Sequence, residues 1–459
     1  MAHQIIIAAL VFGGLLFLLL PAYTNEKGFY YGVSVSGQAP SLFTLIFSQV
    51  TTWIFARSLM NAAILGFYFG LWGVLAYAAY YLSFFTGGLI VDRIRFGLGY
   101  NSIQEFFFTR YGRSGTFCYN ALIIIRLISE IFANLIVIGL IFGGFGSQTY
   151  FIAIALLSLF VVLYSMKGGL SAALKTDVLQ MSLFLIMLVA LFISMLTNQY
   201  FDQAAIFDFT FDITQPGPIL LFVALLQVWS YPLHDPVMMD RGFLADRKTT
   251  QRSFLHAGWI SIICIILFGL LGVFSGVNAM VDENLNQALS RLLGAGPLLI
   301  LNAALIISAM STLDSSLASS SKLLVINMGL CKPSINNGRR VMVLFMLAAL
   351  AFVFYGDRDL FSAVAVSGTA SLFLVPVIFF NIFAGRSDIP VWSLLAGFSI
   401  ALVGAGLYFT ESSAYSSLLG ESHKYNKLLY ITMAVLISNM ALFYLGTFLS
   451  RLLSTKPRQ

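Results

Sequence analysis

Between Ala304 and Asn327 the chain reads ALIISAMSTLDSSLASSSKLLVIN, an apolar run whose middle carries Ser308, Ser311, Thr312, Asp314, Ser315, Ser316, Ser319, Ser320 and Ser321. At roughly 100° per residue, Ser308, Ser311, Thr312, Ser315 and Ser319 share one helical stripe, with Asp314 beside Ser311 at its edge. Hydroxyls alone have a plain structural reading: they bond back to carbonyls one turn earlier and let helices pack closely. A carboxylate among them does not fit that reading. Hydroxyl, carbonyl and carboxylate oxygens together are the ligand chemistry of a hard cation. Sodium suits such a set, because one or two carboxylates balance its charge while neutral oxygens replace its water.

Four other ionisable residues interrupt apolar runs: Arg57, Arg126, Glu130 and Asp177. Charges in such positions are costly and are functional hypotheses by default. Arg126 and Glu130 are spaced i,i+4 and can neutralise each other on one helix face. Asp177, in KGGLSAALKTDVLQ, lies near a helix start, where the dipole favours a carboxylate as a cap. Arg57 has no acid near it in sequence, which leaves its guanidinium available to grip a carboxylate bidentately. An enzyme reading wants clustered His, Cys or paired acids. The four histidines (His3, His234, His256, His423) are expected near span ends, and His234 with Asp235 in PLHDP reads as a gating or capping pair. Cys118 and Cys264 fall in spans and Cys331 in an inner loop, with no metal-ligand spacing. The expectation is therefore a non-enzyme without a cofactor, its only metal being sodium.

These residues must be positioned by membrane helices. Hydrophobic residues make up 59% of the 459 and charged residues 10%, against roughly a quarter charged in a soluble domain; mean hydropathy is +0.90. A spanning helix needs roughly 20 apolar residues, and thirteen segments qualify: 4–21, 41–66, 70–91, 117–144, 150–166, 174–197, 217–235, 254–276, 297–327, 339–355, 359–384, 391–409 and 428–450. The first lacks the basic start and small-residue cleavage site of a secretory signal, and reads as a retained helix. Of 25 Lys and Arg, an outside amino terminus puts only Arg291, Arg358, Lys424 and Lys427 in outer loops. Arg57 and Arg126 lie in spans, leaving 19 inside. The positive-inside rule then predicts N-out, C-in. The net charge of +6 reflects that sorting, not nucleic-acid binding. No stretch between spans is long enough for a soluble domain.

The motifs also carry a resemblance. SAMSTLDSS resembles the Ser-Thr helix motif of the sodium:solute symporter family, whose bacterial proline symporters have a near-identical Met-Ser-Thr-Leu. KGGLSAALKTDVLQ is similar to that family's Gly-Gly…Thr-Asp-x-x-Gln segment. SIQEFFFTRYG resembles its Pro-Glu-Phe…Arg-Phe-Gly loop, with Gln104 in place of the proline. The motifs occur in family order, and thirteen helices with an outside amino terminus is that family's common topology, so the similarity covers nearly the whole chain.

The resemblance implies an all-α membrane protein of thirteen transmembrane helices with a five-plus-five inverted-repeat transporter core. Residues 1–40 would form an extra N-terminal helix and loop, 41–197 the first repeat, and 217–384 the second, inverted repeat. Residues 391–459 would supply two more helices and a cytoplasmic tail, in a plasma (inner) membrane. The first helix of each repeat would be broken, at Ser48–Trp53 (SQVTTW) and at Trp229–Pro236 (WSYPLHDP). Matched motif by motif, one sodium site would use the carbonyls of Phe47, Val50 and Ser308 with the hydroxyls of Ser311 and Thr312. A second cation site would use Asp177, Asp314 and Ser315; the family usually has Ser at the position of Asp314, so ion and stoichiometry are open there. Substrate would sit beside Gln49, Thr51, Thr52 and Trp53, near Arg57 and Arg126, capped by Trp229 and Tyr231. The implied function is sodium-coupled import of a small solute by alternating access, with an amino acid or other carboxylate-bearing solute favoured. SQVTTW also looks like the Ser-Gln-x-Thr-Trp segment of the urea and polyamine branch. A sensory membrane module is a further alternative. Partners are then the solute, sodium and the lipid bilayer.

Overall fold

A computed structural model describes residues 11–454 apart from 19, 21, 23–24, 35–36, 209, 356–359 and 414. Residues 4–10 of the first expected span, Arg358 and the tail at 455–459 lie outside the described residues. Every regular element among the described residues is helical, as a chain must be that satisfies its backbone without water. Eight of these helices are long and apolar enough to cross a membrane, or nine if the bent pair Val364–Ala370 and Leu374–Phe383 is one span.

The difference from thirteen expected segments has physical sources. The helix Gln148–Leu196 runs through two of them, hinged at Gly169 with φ +55°. A side chain at Gly169 would meet the Phe29 carbonyl at 2.4 Å, so this hinge requires glycine both for its backbone and for its neighbour. Likewise Ala56–Ala79 changes direction at Phe69 and Gly70. Two further expected spans are broken into pieces too short to qualify alone, Leu42–Trp53 and Pro216–Gln227.

Both breaks lie close to the expected places. The polar run Ser48–Trp53 itself stays helical, and the chain unwinds just after it, at Ile54 and Phe55. Thr51 Oγ1 donates to Phe47 O at 2.9 Å and Thr52 Oγ1 to Gln49 O at 2.9 Å, so the hydroxyls are satisfied within the helix. Past the break, Tyr81 donates to Trp53 O at 2.7 Å, and Ser308 Oγ donates to Ile54 O. In the second break, Pro216–Gln227 gives way to the short helices Tyr231–His234 and Pro236–Gly242. Thr86 Oγ1 donates to Val228 O at 2.9 Å, and Tyr119 donates to Leu233 O at 2.8 Å. Neighbouring helices thus supply the donors that unwound backbone needs in the membrane.

The hydroxyl-rich helix Ala295–Lys322 packs against Gln148–Leu196, Ile103–Phe142 and Leu42–Trp53. From Ala304 to Lys322 every residue is buried, which explains the small side chains on all its faces and not only on the stripe. Beside its C-terminal end lies a vestibule of about 750 Å³. Arg95, Asn101, Glu105, Asp240 and Lys322 are among its walls. There Lys322 Nζ pairs with Asp240 Oδ1 at 2.8 Å, and Ser319 Oγ donates to Asp240 Oδ2 at 2.7 Å.

Candidate functional site

Asp177 is the centre of the first cluster. It is fully buried (0% exposed), about two turns past the Gly169 hinge, so it is not the helix cap its sequence position allows. Ser311 Oγ donates to its Oδ1 at 2.6 Å, and Ser48 Oγ donates to its Oδ2 at 2.6 Å. Ser315 Oγ stands 3.3 Å from Oδ2. Three hydroxyls from two helices therefore converge on one carboxylate, and two belong to the stripe seen in sequence.

A fourth partner comes from the second broken helix. Arg241 Nη2 lies 3.5 Å from Asp177 Oδ2 and donates to Ser315 Oγ at 2.8 Å, while its Nε donates to Ser48 Oγ at 3.0 Å. Sequence reasoning placed Arg241 among the inner-loop charges. The structure corrects this: Arg241 is fully buried, because Pro236–Gly242 is a helix that carries it inward. A guanidinium thus reaches two of the oxygens expected to hold a second cation.

Asp314 is held by a different hydroxyl. Thr176 Oγ1 donates to its Oδ2 at 2.7 Å, its Oδ1 has no partner among the described residues, and the residue is 1% exposed. Thr312 Oγ1 reaches Ser308 O at 3.2 Å and Thr51 O at 3.5 Å. Thr51 therefore supplies the main-chain oxygen of the first broken helix that meets Thr312. Val50 O accepts from Ile54 N–H at 2.8 Å, and Phe47 O accepts from Thr51 Oγ1. Oxygen is abundant here: hydroxyl, carboxylate and freed carbonyl, with no soft ligand. No group of three His, Cys, Asp or Glu suited to a metal is found among the described residues.

The second cluster is a small cavity of about 20 Å³ whose lining includes Trp53, Arg57, Tyr77, Tyr81, Arg126 and Tyr231. The Trp53 ring lies 5.5 Å from those of Tyr81 and Tyr231. Of the expected solute contacts, Trp53, Arg57, Arg126 and Tyr231 are brought together here. Gln49 and Thr52 are buried below it, with both side-chain amide atoms of Gln49 lacking a partner among the described residues. Thr51 turns to its own helix. Trp229 packs on Phe379, ring centroids 5.0 Å apart, and is not part of the lining.

The two arginines differ. Arg126 Nη2 is 3.0 Å from Glu130 Oε2, the pair expected from i,i+4 spacing, and 3.2 Å from Asp235 Oδ2. The second acid was not visible in sequence, since it lies 109 residues away and caps the helix Pro236–Gly242 through Met238 N–H. His234, the last residue of the short helix Tyr231–His234, is also fully buried, and its Nε2 is 2.7 Å from Ser367 Oγ. Arg57 has no acidic partner, and its Nε and Nη1 make no hydrogen bond among the described residues. The Phe55 ring lies 5.1 Å from its guanidinium carbon.

No family model matches the sequence, and no curated protein does. Solved structures do match in shape. A sodium-coupled sialic acid symporter, in a substrate-bound outward-open state, superposes with a TM-score of 0.73 at 16% identity, covering 98% of this chain and 97% of that one. This chain shares the fold of that symporter. A nucleobase-cation-symport-1 family transporter, closed with bromovinylhydantoin bound, gives 0.57 at 14% identity over 94% and 96%. A manganese transporter of Eremococcus coleocola gives 0.52 at 13%, over 90% and 94%.

Proposed function

We propose that this protein is a sodium-coupled secondary active symporter that imports a small organic solute by alternating access. The observation that carries the reading is the convergence of Ser48, Ser311 and Ser315 on buried Asp177, beside two broken helices, in a chain with a transporter fold. Sodium-coupled and cation-coupled transporters are among the proteins of similar fold, and the motif resemblance to the sodium:solute symporter family points the same way. In this reading residues 41–197 and 217–384 are inverted repeats within thirteen spans, with the amino terminus outside an inner membrane. Broken helices let main-chain oxygens and half-helix ends face a site at mid-membrane, the recurrent plan of such carriers.

Two sodium positions follow from the oxygens. One lies where Thr51 O, Ser308 O and Thr312 Oγ1 meet, with Phe47, Val50 and Ser311 close by. The other lies at Asp177, Ser315 and Asp314, where Arg241 competes for the same oxygens. The solute sits in the cavity of Trp53, Arg57, Arg126 and Tyr231. The test is uptake into proteoliposomes with and without an inward sodium gradient. Solute accumulation that collapses when potassium replaces sodium is the expected result. Binding of solute without any gradient-driven accumulation leaves the sensory-module alternative instead.

A further inference from the structure

We infer that the solute is a small monocarboxylate without an ammonium group, anchored by Arg57. The inference deepens the symporter reading and rests on the same cavity being the solute site. Its first support is Arg57, a guanidinium 1% exposed, facing a cavity, with two of its nitrogens unpartnered among the described residues. A buried charge left in that condition is strongly unfavourable, and a carboxylate relieves it with paired charge-assisted hydrogen bonds.

The rest of the lining narrows the class. Among the described residues it holds two guanidiniums and no carboxylate. Glu130 and Asp235 are both drawn to Nη2 of Arg126, so Arg57 is the lining charge without an acid of its own among the described residues, and an ammonium entering with the solute would face it. An aromatic wall can hold a cation by its ring faces, but two adjacent guanidiniums oppose that here. A zwitterionic amino acid is therefore disfavoured relative to a simple anion.

The tyrosines narrow it again. Tyr77 donates its hydroxyl to Ser58 Oγ at 3.2 Å, Tyr80 to Gln227 Oε1 at 3.1 Å, and Tyr81 to Trp53 O at 2.7 Å. With those hydroxyls engaged by protein, the donors left without a partner among the described lining residues are Trp53 Nε1 and the Nε and Nη1 of Arg57 and Arg126, a set that suits a carboxylate. Size follows from the volume, about 20 Å³, where a single water already needs roughly 10–15 Å³. The walls must part to admit even three carbons, and they close best on a short chain.

Four probes of matched size separate the possibilities: propionate, lactate, alanine and propionamide. Each is titrated calorimetrically into the purified full-length protein at one fixed sodium concentration. Propionate and lactate are expected to bind at least about tenfold more tightly than alanine and propionamide, the value of a charge-assisted hydrogen bond. Arg57→Gln should abolish that preference, and Arg57→Lys should retain it in weakened form. Alanine or propionamide binding as tightly as propionate overturns the proposal, as does binding by none of the four, or an unchanged preference in a folded Arg57→Gln. The wild-type comparison decides even if a variant fails to fold. Sodium-driven uptake of the same probes separates the two readings. Propionate bound but indifferent to sodium sinks symport and keeps the anion site; sodium-driven alanine uptake without propionate uptake keeps symport and sinks the anion site.

Discussion

The guanidinium of Arg241 lies 2.8 Å from Ser315 Oγ and 3.5 Å from Asp177 Oδ2, so a tethered positive charge shares oxygens with a mobile one. When the second broken helix is seated, Arg241 balances Asp177. A sodium ion at Asp177 must compete with it, and the competition links ion binding to the position of that helix.

Replacing Arg241 by Gln tests this link. The variant leaves Asp177 buried with no opposite charge, a loss of about 3–5 kcal/mol for a broken buried pair. Sodium can supply the missing charge. The melting temperature of Arg241→Gln should therefore be lower than wild type without sodium and should rise more steeply as sodium is added. Parallel sodium responses in the two proteins would show that ion and guanidinium do not share a position.

The stripe itself makes a second prediction. Ser311 holds Asp177, and Thr312 faces Thr51 O and Ser308 O. The double variant Ser311→Ala, Thr312→Ala removes one hydroxyl beside Asp177 and one beside Thr51 O without adding bulk. The sodium concentration for half-maximal uptake should rise by about tenfold or more, the effect of one lost hydrogen bond to a charged group, with expression near wild type. An unchanged sodium requirement reduces the stripe to helix packing.

What was legible beforehand follows from the range of the interactions. Hydrophobic length located the helical segments, and hydroxyls in an apolar run located the polar face of Ala295–Lys322, because both signals are local. The partners were not local. Arg241 sits in DPVMMDRGF, which has the proline, acids and glycine of a loop, and only the second break explains its burial. Asp235 joins Arg126 across 109 residues. The position of the first break differed for a related reason: Thr51 and Thr52 satisfy themselves within the helix, and the unwound carbonyls belong to Trp53 and Ile54, where Tyr81 and Ser308 reach them.

Arg126 should be chiefly structural. It neutralises Glu130 and Asp235 inside the protein, with 2% of its own surface exposed. Arg126→Gln leaves two buried acids without their common partner, and a destabilisation of about 3–5 kcal/mol is expected. Adding Glu130→Gln should recover part of it, since the double variant buries less uncompensated charge. Thermal unfolding in detergent reads both. If Arg126→Gln unfolds like wild type yet binds solute weakly, the roles assigned to Arg57 and Arg126 are exchanged.

A pH effect is expected outside the membrane spans. Arg291 grips Glu283 with Nε at 2.9 Å and Nη2 at 2.6 Å. That hydrogen bonding, helped by the Met280 N–H, lowers the Glu283 carboxyl from its ordinary 4.5 to about 2. A depressed value in the folded state means stability that is present above pH 4.5 and is lost as pH falls toward the lowered value. Glu283→Gln should lower the melting temperature near neutrality, where the ionised pair contributes, and flatten its fall across that window, so that the two proteins converge at low pH. A wild-type slope retained in the variant would assign the acid sensitivity to other groups.

Asp314 carries the last prediction. It is buried, held by Thr176 on one oxygen and without a hydrogen-bond partner among the described residues on the other. Packing does not require a carboxylate there, since serines fill the same helix above and below it. Counted as ions, Asp177 and Asp314 against Arg241 leave one negative charge in a buried cluster, and one sodium ion balances it. Asp314→Ser cancels that excess, and Asp314→Asn cancels it at constant shape. Both should raise the sodium concentration for half-maximal uptake by about tenfold, which corresponds to roughly 1.4 kcal/mol of lost attraction. A loss in the serine variant alone would assign the effect to shape. Unchanged sodium dependence in both would remove Asp314 from the cation site, leaving Asp177 and its hydroxyls to hold the ion without a second acid.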